Sequence, residues 1–107
     1  DAGKRPGMGA VATKLSDYVV ITSDNPRNED PMAIIKGIET GAARRNYIIE
    51  PDRRAAIRNA VKVAETGDIL LVAGKGHEDY QEIKGARHKF SDREILEETI
   101  RDRLKNV

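Results

Sequence analysis

The sequence predicts an α/β domain: a mainly parallel sheet flanked by helices, with a hairpin or antiparallel edge strand toward the C-terminus. Three observations predict it. Short β-branched apolar runs, "YVVIT" and "DILLV" among them, recur between stretches of helical periodicity. Asp30 and Asp52 stand where helices would start, each after such a run and the loop that follows it. Strands that alternate with helices need crossover connections, which set successive strands parallel.

Taken in order, Met8, Val11, Ala12 and Leu15 lie at i, i+3, i+4 and i+7, one face of a short first helix. Tyr18 to Thr22 is continuous and β-branched, as a strand buried on both faces would be. Asp30 before Pro31 is an N-cap followed by proline in the first turn, and Ile34, Ile35, Ile38 and Ala42 carry that helix inward. Asn46 to Glu50 is the next short strand. Asp52 caps a third helix, with Ile57, Ala60, Val61 and Ala64 on one face and Gly67 beyond its end. Ile69 to Ala73 reads as another buried strand. "YQEIK" and "ARHKF" flank Gly85 as a hairpin. Ser91 and Glu94 form a capping box, and Phe90 and Ile95 a hydrophobic staple. Leu96, Ile100 and Leu104 give the last helix its apolar stripe.

A chain of 107 residues with 38% hydrophobic residues suits one domain with a modest core, spanning 1–107. Charged residues reach 35%, yet the net charge is only +1, which argues against a general nucleic-acid binder. There is no cysteine, so disulfides and thiolate metal sites are excluded. No apolar run approaches the roughly 18 residues that span a bilayer, and no signal peptide is visible. The start, "DAGKRPGM", reads as the interior of a longer chain. No helix carries a second apolar face, so a monomer is expected.

Two loops leave the carboxyl ends of predicted strands, where open α/β sheets bind ligands. In "SDNPRNEDP", Pro26 stiffens the loop and fixes the directions of Asn25 and Arg27. Arg27 offers a planar fork suited to a carboxylate or phosphate. Asp24 or Asn25 can accept from an ammonium. The combination suits a ligand of both charges, such as an amino acid, although a plain turn with a solvated arginine is the blander reading. In "AGKGHEDYQ", two glycines permit close backbone approach, and Glu78 can receive an ammonium. The loop matches neither GxxxxGK[ST] nor GxGxxG. His77, Glu78 and Asp79 are neighbours along one loop and are not expected to converge on a metal. "GKRP" before the first helix reads as a solvated basic end, and Arg53 and Arg54 as solvated helix-start residues.

"DAGKRPGM", "TSDNPRNEDP", "AGKGHEDYQ" and "FSDREI" occur in that order. Together they closely resemble the C-terminal domain of the Mur ligases of peptidoglycan assembly, over essentially the whole chain. The form "DNPR" resembles members that add meso-diaminopimelate; lysine-adding members usually differ where Arg27 stands. The resemblance implies a Rossmann-like order and a place in a three-domain cytoplasmic enzyme. In it ATP activates the D-glutamyl carboxylate of UDP-MurNAc-L-Ala-D-Glu as an acyl phosphate, which the amine of diaminopimelate attacks. By motif match, Arg5, Asn25, Arg27, Gly74 and Glu78 would contact diaminopimelate. Arg27 and Asn25 would hold its distal end, Arg5 a carboxylate, and Glu78 with the Gly74 carbonyl an ammonium. Asp24 and Pro26 would support the loop, and no catalytic or metal-binding residue is assigned. Lys75 and His77 fall inside a matched motif without a role. ATP and Mg2+ would belong mainly to the absent central ATPase domain. The family's first strand, which precedes "DAGKRP", is also absent, and it is central in a Rossmann-like order. Its absence is expected to expose sheet edges, and the isolated chain to bind weakly and catalyse nothing. The alternatives are a Mur ligase adding another amino acid, such as L-lysine, and a non-catalytic Rossmann-like binding or scaffold module.

Overall fold

Local signals start three of the four helices. The computed structural model describes residues 2–75 and 78–105. Helix α2, Pro31–Glu39, begins after Asp30, whose carboxylate accepts from Met32 N at 3.0 Å. Helix α3, Arg53–Val63, begins after Asp52, whose carboxylate accepts from Arg54 N at 3.0 Å. Each cap satisfies an amide that the first helical turn leaves without an intrahelical partner. Helix α4, Asp92–Lys105, begins after Ser91, whose hydroxyl accepts from Glu94 N at 3.3 Å. Phe90 and Ile95 meet in a buried cluster with Ile57 and Val61, so the staple joins α4 to α3. Helix α1, Arg5–Leu15, follows a 3-10 turn at Ala2–Lys4 and has no side-chain cap.

Strand β1, Val19–Ile21, pairs in parallel with β2, Tyr47–Ile49, with Val20 opposite Ile48 and α2 as the crossover. Strands β3, Tyr80–Ile83, and β4, Ala86–Lys89, form the antiparallel hairpin, with Gln81 opposite His88. Lys84 and Gly85 make its turn with φ of 51° and 81°, the left-handed backbone that two-residue hairpin loops use. The result is a mixed α/β domain of one parallel pair, one hairpin and four helices. Among the described residues no helix is long and apolar enough to cross a membrane.

Four expectations are corrected. Residues 69–73 form no strand: Ile69 is 95% exposed and Leu71 83%. A strand exists only beside a neighbour that pairs its amides and carbonyls, and no described strand runs beside this segment. The apolar face of α1 points outward, with Met8, Val11 and Leu15 exposed and Gly9 and Thr13 buried instead. Small residues decide this packing. A Cβ on Gly9 would lie 1.9 Å from Ile38 O, and one on Gly41 1.7 Å from Pro6 O, so α1 touches α2 and the turn after it backbone to backbone. Ile100 and Leu104 are likewise exposed, and α4 gives the apolar cluster it shares with α3 only Ile95 and Leu96.

Arg53 is the fourth correction. It is buried at 3% exposure and forks onto Asp92, with Nε at 2.8 Å and Nη2 at 2.6 Å from the carboxylate oxygens. Its remaining donors reach Ser23 O at 3.1 Å and Ala73 O at 3.2 Å. One side chain therefore ties the end of β1, the end of segment 69–73 and the start of α4.

Candidate functional site

The loop after β1 is stitched to β3. Arg27 forms a parallel bridge with Ile83, its N–H donating to Glu82 O at 2.5 Å and its carbonyl accepting from Lys84 N at 2.6 Å. Arg27 has φ of 57°, a left-handed backbone that a non-glycine residue adopts at a cost of about 1–2 kcal/mol. The bridge holds it there. Asn25 Oδ1 accepts from Glu82 N at 2.6 Å, and Gln81 Nε2 donates to Asp24 O at 2.9 Å. Asp24 Oδ1 in turn accepts from Asn25 N at 2.6 Å. Pro26 is buried and Arg27 exposed, so the proline anchors the loop and the arginine projects from it.

The second loop is fixed from below. Lys75 is 3% exposed, donates to Tyr80 O, and sets its ammonium 5.6 Å from the ring centres of both Tyr80 and Phe90. It is a strut between this loop and the hairpin, with an apolar stem suited to burial. Gly74 has φ of 112°, a backbone that residues with a Cβ rarely adopt. His77 lies outside the described residues.

Between the loops lies a cavity of about 610 Å³. It is bordered by all seven residues singled out from the sequence, Arg5, Asp24, Asn25, Pro26, Arg27, Gly74 and Glu78, and also by Asn28 and Glu29. Its two cations differ. The Arg5 guanidinium is forked onto Glu29 at 2.7 and 2.8 Å. The Arg27 guanidinium is half exposed and, among the described residues, has only distant anions, Glu78 at 4.0 Å and Glu82 at 3.9 Å. The hydrogen bonds of the fork raise the Arg5 pKa above its ordinary value and lower that of the Glu29 carboxyl. Asn25 Nδ2 is buried with no acceptor among the described residues. With Oδ1 engaged by Glu82, what Asn25 has left to offer is a donor.

Glu29 and Gln81 were not singled out from the sequence, and Lys75 was named there without a role. Glu29 carried a signal: an acid directly before the Asp30 cap serves no capping purpose of its own. Lys75 and Gln81 carried none, since their partners are set by how the hairpin folds back. The basic end "GKRP" is not simply solvated, because Arg5 is committed to Glu29.

Comparison with known proteins gives a consistent set of relatives. The family described as "Mur ligase, glutamate ligase domain" matches residues 1–76. A UDP-N-acetylmuramoyl-L-alanyl-D-glutamate--2,6-diaminopimelate ligase of Chlorobaculum tepidum is 58% identical over 97 residues, covering 91% of this chain and 19% of the relative. The enzyme of the same name from Clostridium botulinum is 52% identical over 102 residues, covering 95% of this chain and 21% of the relative. A solved structure of a ligase of that name superposes with a TM-score of 0.88 at 42% identity, covering 97% of this chain and 22% of that one. The chain thus spans about a fifth of the length of the curated relatives it matches.

Proposed function

The chain belongs to the Mur ligase family, through its glutamate ligase domain, and on that premise we propose that it receives meso-diaminopimelate for an ATP-dependent ligase that extends UDP-N-acetylmuramoyl-L-alanyl-D-glutamate. On this reading residues 1–107 are one domain of a longer, monomeric enzyme. Its place is the cytoplasm, where nucleotide-linked precursors and ATP are at hand. The described residues include no group of three or more His, Cys, Asp or Glu side chains that could hold a metal. The sequence has no GxxxxGK[ST] loop to cradle phosphates. These residues offer no phosphate-cradling loop of that pattern and no such metal cluster, and we assign ATP and Mg2+ mainly to the rest of the ligase.

The part of this chain is to bind and orient the amine. Arg27 supplies a forked cation for one carboxylate, and the unpaired Nδ2 of Asn25 adds a donor beside it. Glu78 and the Gly74 carbonyl, on the opposite loop, accept from an ammonium. Held at both ends, the substrate presents its other amine to the acyl phosphate formed on the D-glutamyl carboxylate; that attack gives the amide and releases phosphate. Holding the nucleophile in this way replaces a bimolecular encounter with an oriented one.

The observation that supports this reading most is the half-exposed, weakly paired Arg27 facing Glu78 across one cavity. Diaminopimelate differs from lysine by one carboxylate. A charge-assisted contact contributes roughly 1.5–3 kcal/mol, or about ten- to a hundredfold in affinity. Amide formation by the full ligase, measured with diaminopimelate and with L-lysine, tests it. Arg27→Ala is expected to lower kcat/KM for diaminopimelate by about that factor and to leave the slow rate with lysine nearly unchanged. Equal losses with both amino acids would remove Arg27 from the recognition of the second carboxylate.

A further inference from the structure

Arg5 comes from the first turn of α1, while Glu29 comes from the loop that carries Asn25 and Arg27. Twenty-four positions separate them in sequence, yet the fork between them is bidentate at 2.7 and 2.8 Å. The arginine stem lies along α2 at Gly37, where a Cβ would come within 3.0 Å of Arg5 Cδ. Its side chain is 16% exposed, against 44% for Glu29. Stem and tip are thus both fixed before any ligand arrives.

A guanidinium has five N–H donors in one plane. Glu29 takes one from Nη1 and one from Nη2. Among the described residues the other three, including Nε–H, have no acceptor. Arg5 nevertheless borders the cavity. A carboxylate at the Nη1–Nη2 end leaves the Nε edge free to bind a second carboxylate side-on.

We propose that Glu29 is a positioning residue for the amino-acid substrate: it grips one end of the Arg5 guanidinium so that the free edge meets a substrate carboxylate. The inference rests on the function proposed above. The cavity then holds one arginine fixed in advance, Arg5, and one left loose, Arg27. Two such cations suit a substrate that carries two carboxylates. Glu29 does not compete for Arg5, because the two carboxylates use different edges. Its contribution is to remove the rotamer freedom of a long side chain before the ligand binds. Asp24, on the same cavity, adds to the field that holds the guanidinium in place.

The test uses the full ligase that carries this domain, with KM read separately for diaminopimelate, ATP and the UDP-linked substrate. Glu29→Ala is expected to raise KM for diaminopimelate about tenfold, the worth of a charge-assisted contact, and to leave KM for ATP unaltered. Glu29→Gln, isosteric and able to accept from one Nη only, is expected to fall between wild type and Ala. Added formate should lower the raised KM of Glu29→Ala by refilling the vacated place, which a merely structural loss would not allow. An unchanged or lowered KM in Glu29→Ala overturns the proposal. So does formate that raises KM further, because Glu29 would then be a competitor for Arg5. A wild-type enzyme that does not use diaminopimelate would sink the functional reading instead. The same variants are then read with the amino acid it does use, where an unchanged KM again overturns the clamp.

Discussion

Replacing Arg53 by Met keeps most of the stem and removes the guanidinium. The structure sets the consequences. Asp92, with only 11% of its side chain exposed, loses both of its forked hydrogen bonds. Breaking a buried pair from one side costs roughly 3–5 kcal/mol, because the remaining charge stays buried alone. Ser23 is buried, so its carbonyl also loses its donor, at a further cost of about 1–3 kcal/mol. Ala73 is exposed, and water can replace the donor there. The expected loss is about 4–8 kcal/mol, against a total stability of roughly 5–15 kcal/mol for a domain. Urea unfolding followed by circular dichroism would read it. The double variant Arg53→Met with Asp92→Leu removes the stranded charge and should recover most of the pair's share, leaving a loss of about 1–3 kcal/mol from Ser23 O. A single-variant loss under about 1 kcal/mol, or a double variant less stable than the single, would refute the reasoning. The same variants should weaken diaminopimelate binding in the full ligase, since Arg53 holds together the chain ends from which both loops depart.

Two further outcomes follow from the same geometry. Gly41→Ala places a Cβ 1.7 Å from the Pro6 carbonyl, which is backbone and cannot turn aside. The helices must part, at a cost of about 1–3 kcal/mol and a lower Tm, whereas Gly67→Ala, with open space around it, should strain only its own φ of 93°. Glu29 should titrate below an ordinary glutamate, chiefly through its hydrogen bonds to Arg5. Because its folded pKa is depressed, its contribution to stability is complete above the unfolded value and is lost as pH falls through the folded one. Carboxyl carbon NMR would follow this, and Arg5→Met should raise the midpoint.

Caps and staples were legible because their partners sit within a few residues: Asp30, Asp52, Ser91 and Phe90 all act where the sequence places them. The two loops were legible as a pair because each follows an apolar run that reads as a strand, although only the first run, β1, pairs as one. What escaped the sequence was set at long range. The face of α1 follows Gly9 and Gly41 rather than Met8, Val11 and Leu15, since backbone contact between helices depends on the absence of side chains, to which an apolar period is blind. Segment 69–73 has the composition of a strand, but pairing belongs to a neighbour and not to the segment.

Arg53 shows how the fold and the site are joined. From the sequence it is one of two arginines after a cap, and Arg54, its neighbour, is indeed exposed. Its partner Asp92 lies 39 positions away, so no local pattern distinguishes the two. Yet Ser23 and Ala73, whose carbonyls it holds, are the residues next to Asp24 and Gly74, where the two site loops begin. Hydrogen bonds to β3 fix the shape of the first loop and Lys75 the foot of the second, while the distance between them is held from beneath by a guanidinium that touches neither loop's binding face. A substitution there should act on recognition without altering any residue that borders the cavity, which is the reason to read Arg53→Met by binding as well as by unfolding.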